Sequence, residues 1–144
     1  VRLKLRGPLE KDIQAWILAS LGVETPPRWT VSKKTGQGRW VRTGIYVSRD
    51  GRAYWWRANA GQRVYTTEGG GRGLFKAAPT GTADILGVCC GVACALEVKR
   101  EGETQTQDQR DWQAIHEAAG GVYAVVRSPS EARAVVEAVR REAA

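Results

Sequence analysis

No stretch of this 144-residue chain approaches the ~18–20 consecutive apolar residues that a membrane-spanning helix needs. Nor does a charged start lead into an apolar signal core. The sequence therefore predicts neither membrane insertion nor secretion. Cysteine is scarce: Cys89, Cys90 and Cys94 are an odd number crowded into one apolar stretch, which excludes a disulfide framework and suits a reducing cytoplasm. Histidine occurs once, at His116, and with the three cysteines it matches no common zinc spacing. The cysteines read instead as small buried strand residues. Gly69-Gly70-Gly71 lacks the following Lys-Ser/Thr pair of a phosphate-binding loop, so no nucleotide cofactor is expected.

Acidic residues are rare where basic ones are dense. From Arg28 to Lys76 eleven lysines and arginines face only Asp50 and Glu68, a net +9 within a chain of net +7, which leaves −2 for the rest. Four of the six tryptophans (Trp29, Trp40, Trp55, Trp56) lie in the same segment. Basic groups neutralise phosphates and aromatic faces stack on unpaired bases, so this segment predicts a nucleic-acid partner. Arg39, Arg42, Arg52, Trp55, Trp56, Arg57, Arg63, Arg72 and Lys76 are its candidate DNA-binding residues. The alternative is a basic-faced antiparallel sheet whose aromatics fill a core.

Length and an apolar content of 42% fit one domain with a real core, 1–144, carrying residues 28–76 as a basic, Trp-rich hairpin insertion. Apolar positions at Ile13, Trp16, Ile17 and Leu21 predict a helix over Leu9–Leu21, closed by Gly22. Glu24–Gly38 reads as loop. Arg39–Val47 and Arg52–Asn59 flank Asp50-Gly51, a hairpin signal, while Gly61–Gly73 is read without regular structure. Ala83–Val88 and Val92–Val98 read as adjacent buried strands turning near Gly91. A helix follows, with Thr104/Gln107 and Thr106/Gln109 competing as capping boxes, and ends near Gly120-Gly121. Val122–Val126 is a short strand, and Ser128, Pro129 and Glu131 mark the start of a last helix. The predicted class is α/β, with a mixed central sheet flanked by helices.

Ionisable groups interrupt the apolar strand pair at three places. Glu97 and Lys99, two apart, share a face, and Val98 between them points into the core. Asp84 comes alongside Glu97 if the two strands form a hairpin. Two converging carboxylates repel unless a cation lies between them, and Mg²⁺ suits oxygen ligands. An ordinary ion pair between Glu97 and Lys99 at a strand end is the alternative.

Thr82-Ala83-Asp84 followed by Glu97-Val98-Lys99 resembles the signature of the PD-(D/E)XK nuclease superfamily. Gly81-Thr82-Ala83-Asp84-Ile85-Leu86, Ala95-Leu96-Glu97-Val98-Lys99-Arg100, Gln109 with Trp112, and Gly120-Gly121-Val122 look like its VRR-NUC branch, which is similar to archaeal-type Holliday junction resolvases. Glu10 with Gln14 looks like the helical glutamate of both groups, and Trp56–Gly61 resembles the segment that follows it in phage VRR-NUC proteins. Ala83 stands where the family has proline. The resemblance implies a restriction-endonuclease-like core and a bacterial or phage-infected host cytoplasm. It also implies roles: Asp84, Glu97 and the Val98 carbonyl hold Mg²⁺ or Mn²⁺, with Glu10 approaching through a water or a second metal. Lys99 helps activate the attacking water, and Gln109 buttresses the site or merely caps its helix.

Together these readings predict a metal-dependent endodeoxyribonuclease, acting as a homodimer on branched DNA and foremost on four-way junctions. A nuclease for flaps, nicks or single-stranded ends, and a DNA-binding relative without catalysis, stay open beside it. Gly44-Ile45-Tyr46 has the opening letters of the GIY-YIG nucleases, but the partner triplet is absent.

Overall fold

A computed structural model describes residues 7–58, 63–75 and 78–144, and of 63–65 and 74–75 the backbone alone. Helix α1 spans Glu10–Leu21, after which short strands β1 (Val23–Glu24), β2 (Arg28–Val31), β3 (Gly38–Val41) and β4 (Tyr46–Val47) lead to β5 (Ala53–Arg57). Strands β6 (Arg63–Thr66) and β7 (Arg72–Phe75) precede the pair β8 (Ile85–Cys89) and β9 (Val92–Val98). Helix α2 (Gln107–Ala118), strand β10 (Val122–Val126) and helix α3 (Pro129–Glu142) complete the order. Among the described residues no helix is long and apolar enough to cross a membrane.

The protein is mixed α/β. Six strands form one sheet in the order β1-β4-β5-β8-β9-β10, antiparallel except for the parallel β9–β10 pair that α2 connects. Register assigns the two faces. Trp55 pairs with Gly87, Ile85 with Leu96 and Val98 with Val126, so these residues share one face. That face also carries Ala53, Cys89 and Cys94, and with Ile13, Ile17, Leu18 and Leu21 of α1 and Ala132, Val136 and Val139 of α3 it makes the core. Cys89 and Cys94 are buried there, as small strand residues. Burial pushes the Cys94 thiol up to about 11, which leaves it an unreactive thiol.

Several expectations need correction. Trp16 is 53% exposed, because Leu18 and not Trp16 completes the buried stripe of α1. At 100° per residue, Ile13, Ile17, Leu18 and Leu21 centre the stripe well away from Trp16. Segment 28–76 is not one insertion. Strands β4 and β5 belong to the main sheet through the expected Asp50-Gly51 turn, whereas β2–β3 and β6–β7 are separate two-stranded ribbons. The expected strand Arg39–Val47 is split: its start, in β3, pairs with β2 from the expected loop, and only Tyr46–Val47 pairs with β5, while β6 and the start of β7 fall in the stretch read without regular structure. At the hairpin turn, the Asp50 carboxylate accepts from Arg140 at 2.6 Å, clamping α3 onto it. That pair, with Ser48, holds the Asp50 carboxyl well below the usual range.

The helix starts follow their signals. Thr106 Oγ1 accepts from Gln109 N and Gln109 Oε1 accepts from Thr106 N, so the later of the two capping boxes forms. Ser128 Oγ accepts from Glu131 N, with Pro129 as first residue of α3. His116 stacks on Trp112 with centroids 4.9 Å apart, and its Nε2 donates to the Val122 carbonyl at 3.1 Å. It is thereby spent on holding α2 against β10.

Candidate active site

Continuing the β8–β9 register by one residue sets Asp84 opposite Glu97. Both therefore lie on the face away from the core, and Lys99 joins them two residues on. Asp84 Oδ2 accepts from the Val98 amide at 2.9 Å, so Val98 reaches the acids through its backbone while its side chain is fully buried in the core. Glu10, the first residue of α1, arrives at the same strand ends. One carboxylate oxygen from each of Glu10, Asp84 and Glu97 lies within 4.8 Å of the others. Three acids separated by as many as 87 positions in the chain thus meet where β8 begins and β9 ends.

Glu97 is 1% exposed and Lys99 7%, at the end of an otherwise apolar strand. Glu97 Oε1 accepts from Gln109 Nε2 at 2.6 Å and lies 3.6 Å from Lys99 Nζ. Its other oxygen, Oε2, is buried with no hydrogen-bond partner. A buried carboxylate oxygen in that state is costly unless a proton or a cation satisfies it. Burial first, and the neighbouring Asp84 second, push the Glu97 carboxyl up to about 8, with Lys99 opposing. Burial likewise raises Glu10, helped by Asp84 and Glu103. Oxygen donors alone, two of them buried and one orphaned, are the donor set of a hard divalent cation such as Mg²⁺ or Mn²⁺. The cysteines lie on the opposite sheet face and His116 is bonded elsewhere, so neither joins the cluster.

Gln109 combines the two roles that its sequence position offers as alternatives. Its Oε1 caps the start of α2 through the Thr106 amide, while its Nε2 holds Glu97. The side chain that fixes the helix end therefore also fixes the buried carboxylate. Gly81 seats the loop before Asp84 on this same helix turn. It has φ +86°, and a Cβ there would lie 2.3 Å from the Asp108 carbonyl oxygen. Gly81→Ala is expected to cost about 1–3 kcal/mol from the left-handed backbone alone. It should also weaken any activity that needs Asp84, by lifting the loop off α2. Thermal unfolding beside a cleavage assay checks this, and a wild-type melting curve would contradict the packing described.

The candidate DNA-binding residues are scattered. Trp55 is removed from them: at 0% exposure it fills the core and cannot meet a base. Trp56 is half-buried on the face that carries the acids, stacked on Tyr54 with centroids 5.6 Å apart. Arg57 ends β5 opposite Ile85, so alternation turns it to the α1 side rather than to the acids, and it donates to the Lys11 carbonyl at 3.2 Å. Arg52 is at the other end of β5, near Cys89, away from the acids. Arg42 is engaged by Glu24 at 2.8 Å and by Tyr46 Oη. Arg39 is exposed on β3 and Arg72 on β7. Arg63 is placed by its backbone only, and Lys76, like Asn59 to Gly61, lies outside the described residues. Sequence reasoning missed Glu103, whose carboxyl acts on Glu10 from the loop after β9; a lone acid in a loop gives no signal.

No family model, curated protein or solved structure matches the chain. The site therefore rests on its own geometry.

Proposed function

We propose that the chain is a metal-dependent endodeoxyribonuclease with a restriction-endonuclease-like core, of the PD-(D/E)XK type that its Asp84 and Glu97-Val98-Lys99 resemble. The observation that supports this reading most is the meeting of Glu10, Asp84 and Glu97 around a buried, unpartnered Glu97 oxygen, with Lys99 beside them. Glu10, Asp84 and Glu97 would hold Mg²⁺ or Mn²⁺. A divalent ion there supplies a lowered pKa for water and charge stabilisation at a phosphate, the two needs of phosphodiester hydrolysis. Lys99 orients the attacking water, Gln109 keeps Glu97 in place, and the Val98 amide keeps Asp84 in place.

The favoured substrate is branched DNA, above all the four-way junction. Two equivalent scissile phosphates in a symmetric junction call for two equivalent sites, hence a homodimer. Incubation with a labelled immobile four-way junction, a flap and plain duplex, in Mg²⁺ and in EDTA, tests the reading. Paired symmetric nicks confined to the junction, abolished by EDTA, are expected. Cutting of flaps alone, or of all three alike, would keep the hydrolysis and discard the junction. Tight binding without any cut would leave a DNA-binding protein. Calorimetric titration of Mg²⁺ into wild type and Asp84→Asn separates that last case, since only a metal site loses its heat with Asp84.

A further inference from the structure

The two-stranded ribbon β2–β3 stands outside the main sheet and is exposed on both faces. Such a ribbon is marginal by itself in water, so its side chains must support one another. Trp29 pairs directly with Trp40, their rings edge to face at 5.3 Å. The Trp29 indole also lies across Gly38, where a Cβ would be 2.0 Å from the ring. Gly38 thus leaves the place the indole occupies and fixes it in one orientation. Both indoles nevertheless remain open to solvent, Trp29 at 57% and Trp40 at 67%. Two tryptophans that hold each other and stay largely open to solvent form a prepared apolar face.

The reverse face differs in chemistry. Alternation puts Arg28 and Thr30 there with Arg39 and Val41 opposite them. Between Glu24 and Asp50 the chain has six basic residues and no acid. A cleft of about 460 Å³ borders the ribbon, walled by Arg28, Trp29, Arg42, Thr43 and Ile45. It shares Arg42 and Thr43 with a second cleft of about 600 Å³, where Lys11 and Arg57 stand with the acids Asp12 and Glu24. Lys11 follows Glu10 in the chain, and Arg57 adjoins the strand end that carries Asp84. The basic character is therefore strongest at the ribbon itself, before the acids of the second cleft.

We propose that the β2–β3 ribbon is an arm that reads DNA branch points. Its Trp29–Trp40 face stacks on unpaired bases, while Arg28 and Arg39 on the other face hold backbone phosphates of the same branch. The chemistry of the two faces favours this occupant: a polyanion matches an acid-free basic face, and an unpaired base offers the flat apolar surface that open indoles accept. The inference rests on the nuclease reading for the identity of the branch, and binding without metal tests it independently of cleavage.

Binding of the full chain in EDTA to a labelled fork with one single-stranded arm, and to fully paired duplex of equal length, is the measurement. Trp29→Ala and Trp40→Ala are each expected to weaken fork binding about 5- to 150-fold, the scale of one lost base–aromatic stack. Duplex binding should change less than about 3-fold, so that the preference for the fork collapses. Arg28→Ala and Arg39→Ala should weaken both substrates and lower the salt slope by about 1 each. Trp16→Ala, an exposed tryptophan on α1, should bind as wild type does, and circular dichroism checks that each variant is folded. Fork preference that survives loss of both ribbon tryptophans overturns the arm, even if the protein cuts DNA. A tryptophan-dependent fork preference without any cutting upholds the arm and discards the nuclease. Loss of self-association in the tryptophan variants with unchanged fork preference would overturn it too, making the face a contact between copies of this chain.

Discussion

Glu97→Gln is expected to abolish Mg²⁺-dependent cleavage, by roughly 10³-fold or more, and at the same time to make the metal-free protein more stable. The first effect follows from the work assigned to Glu97, since members of a catalytic unit fail together when one is removed. The second separates this site from a structural ion pair. Glu97 Oε2 is buried without a partner and faces the carboxyl of Asp84. An amide keeps the shape, lets Oε1 go on accepting from Gln109, and turns the orphaned position into a donor aimed at Asp84. Lys99 retains Glu10 as a countercharge. Relief of one unsatisfied buried charge is worth about 1–3 kcal/mol, roughly 3–10 °C in Tm for a chain of this size. Thermal unfolding in EDTA at pH 8.5 measures it, and a Glu97→Gln variant that melts below wild type there would refute the orphaned carboxylate.

The same carboxyl gives metal-free stability a definite slope with pH. Its value in the folded chain, about 8, lies above the ordinary 4.5. Between those limits the folded state holds a proton that the unfolded chain has released, so stability declines as pH rises through the window. Mg²⁺ competes with that proton and should raise Tm strongly at pH 8.5 and little at pH 5. In Glu97→Gln both the slope and the metal response should flatten. A wild-type Tm in EDTA that climbs from pH 5 to pH 8 would be incompatible with the burial of Glu97.

Much of this candidate site is legible in the sequence, for a physical reason. A β-hairpin is a local structure, so Ala83–Val88 and Val92–Val98 fix by alternation which residues share a face. Asp84, Glu97 and Lys99 came together on that rule alone. Ser128, Pro129 and Glu131 acted as a helix start because capping, too, is local. The dual use of Gln109 was not readable: one side chain satisfies the Thr106 amide and Glu97 together only once α2 lies over the sheet. Strands β2 and β6 escaped because four residues leave too little periodicity to stand out from the prolines and glycines around them, and with β2 unread the partner of β3 could not be assigned. Joining Glu10 to the cluster took the family resemblance, since nothing in its neighbourhood points to a partner some 75 residues away.

The tryptophans mark the sharpest limit, and Trp55 carries the largest stability prediction. By composition Trp29, Trp40, Trp55 and Trp56 are equivalent members of one basic segment, yet two are exposed and Trp55 is wholly buried. The difference lies in the partner strand. Trp55 sits opposite Gly87, and a Cβ on Gly87 would be 2.4 Å from its ring, so the missing side chain on β8 is the space the indole fills. Neither residue announces the other, being 32 positions apart. Trp55→Ala should therefore lose about 3–5 kcal/mol, as buried aromatic truncations do. Gly87→Ala should lose about 1–3 kcal/mol by overpacking the same spot against Trp55 and the Tyr54 carbonyl. Trp55→Phe is expected to lose much less than alanine. The indole Nε1 is buried without an acceptor, so phenylalanine removes an unsatisfied donor along with the volume it gives up. Urea unfolding followed by far-ultraviolet circular dichroism ranks the three. A Trp55→Ala variant with wild-type stability and weakened DNA binding would return Trp55 to the surface, and with it the equivalence of the four tryptophans that the sequence suggests.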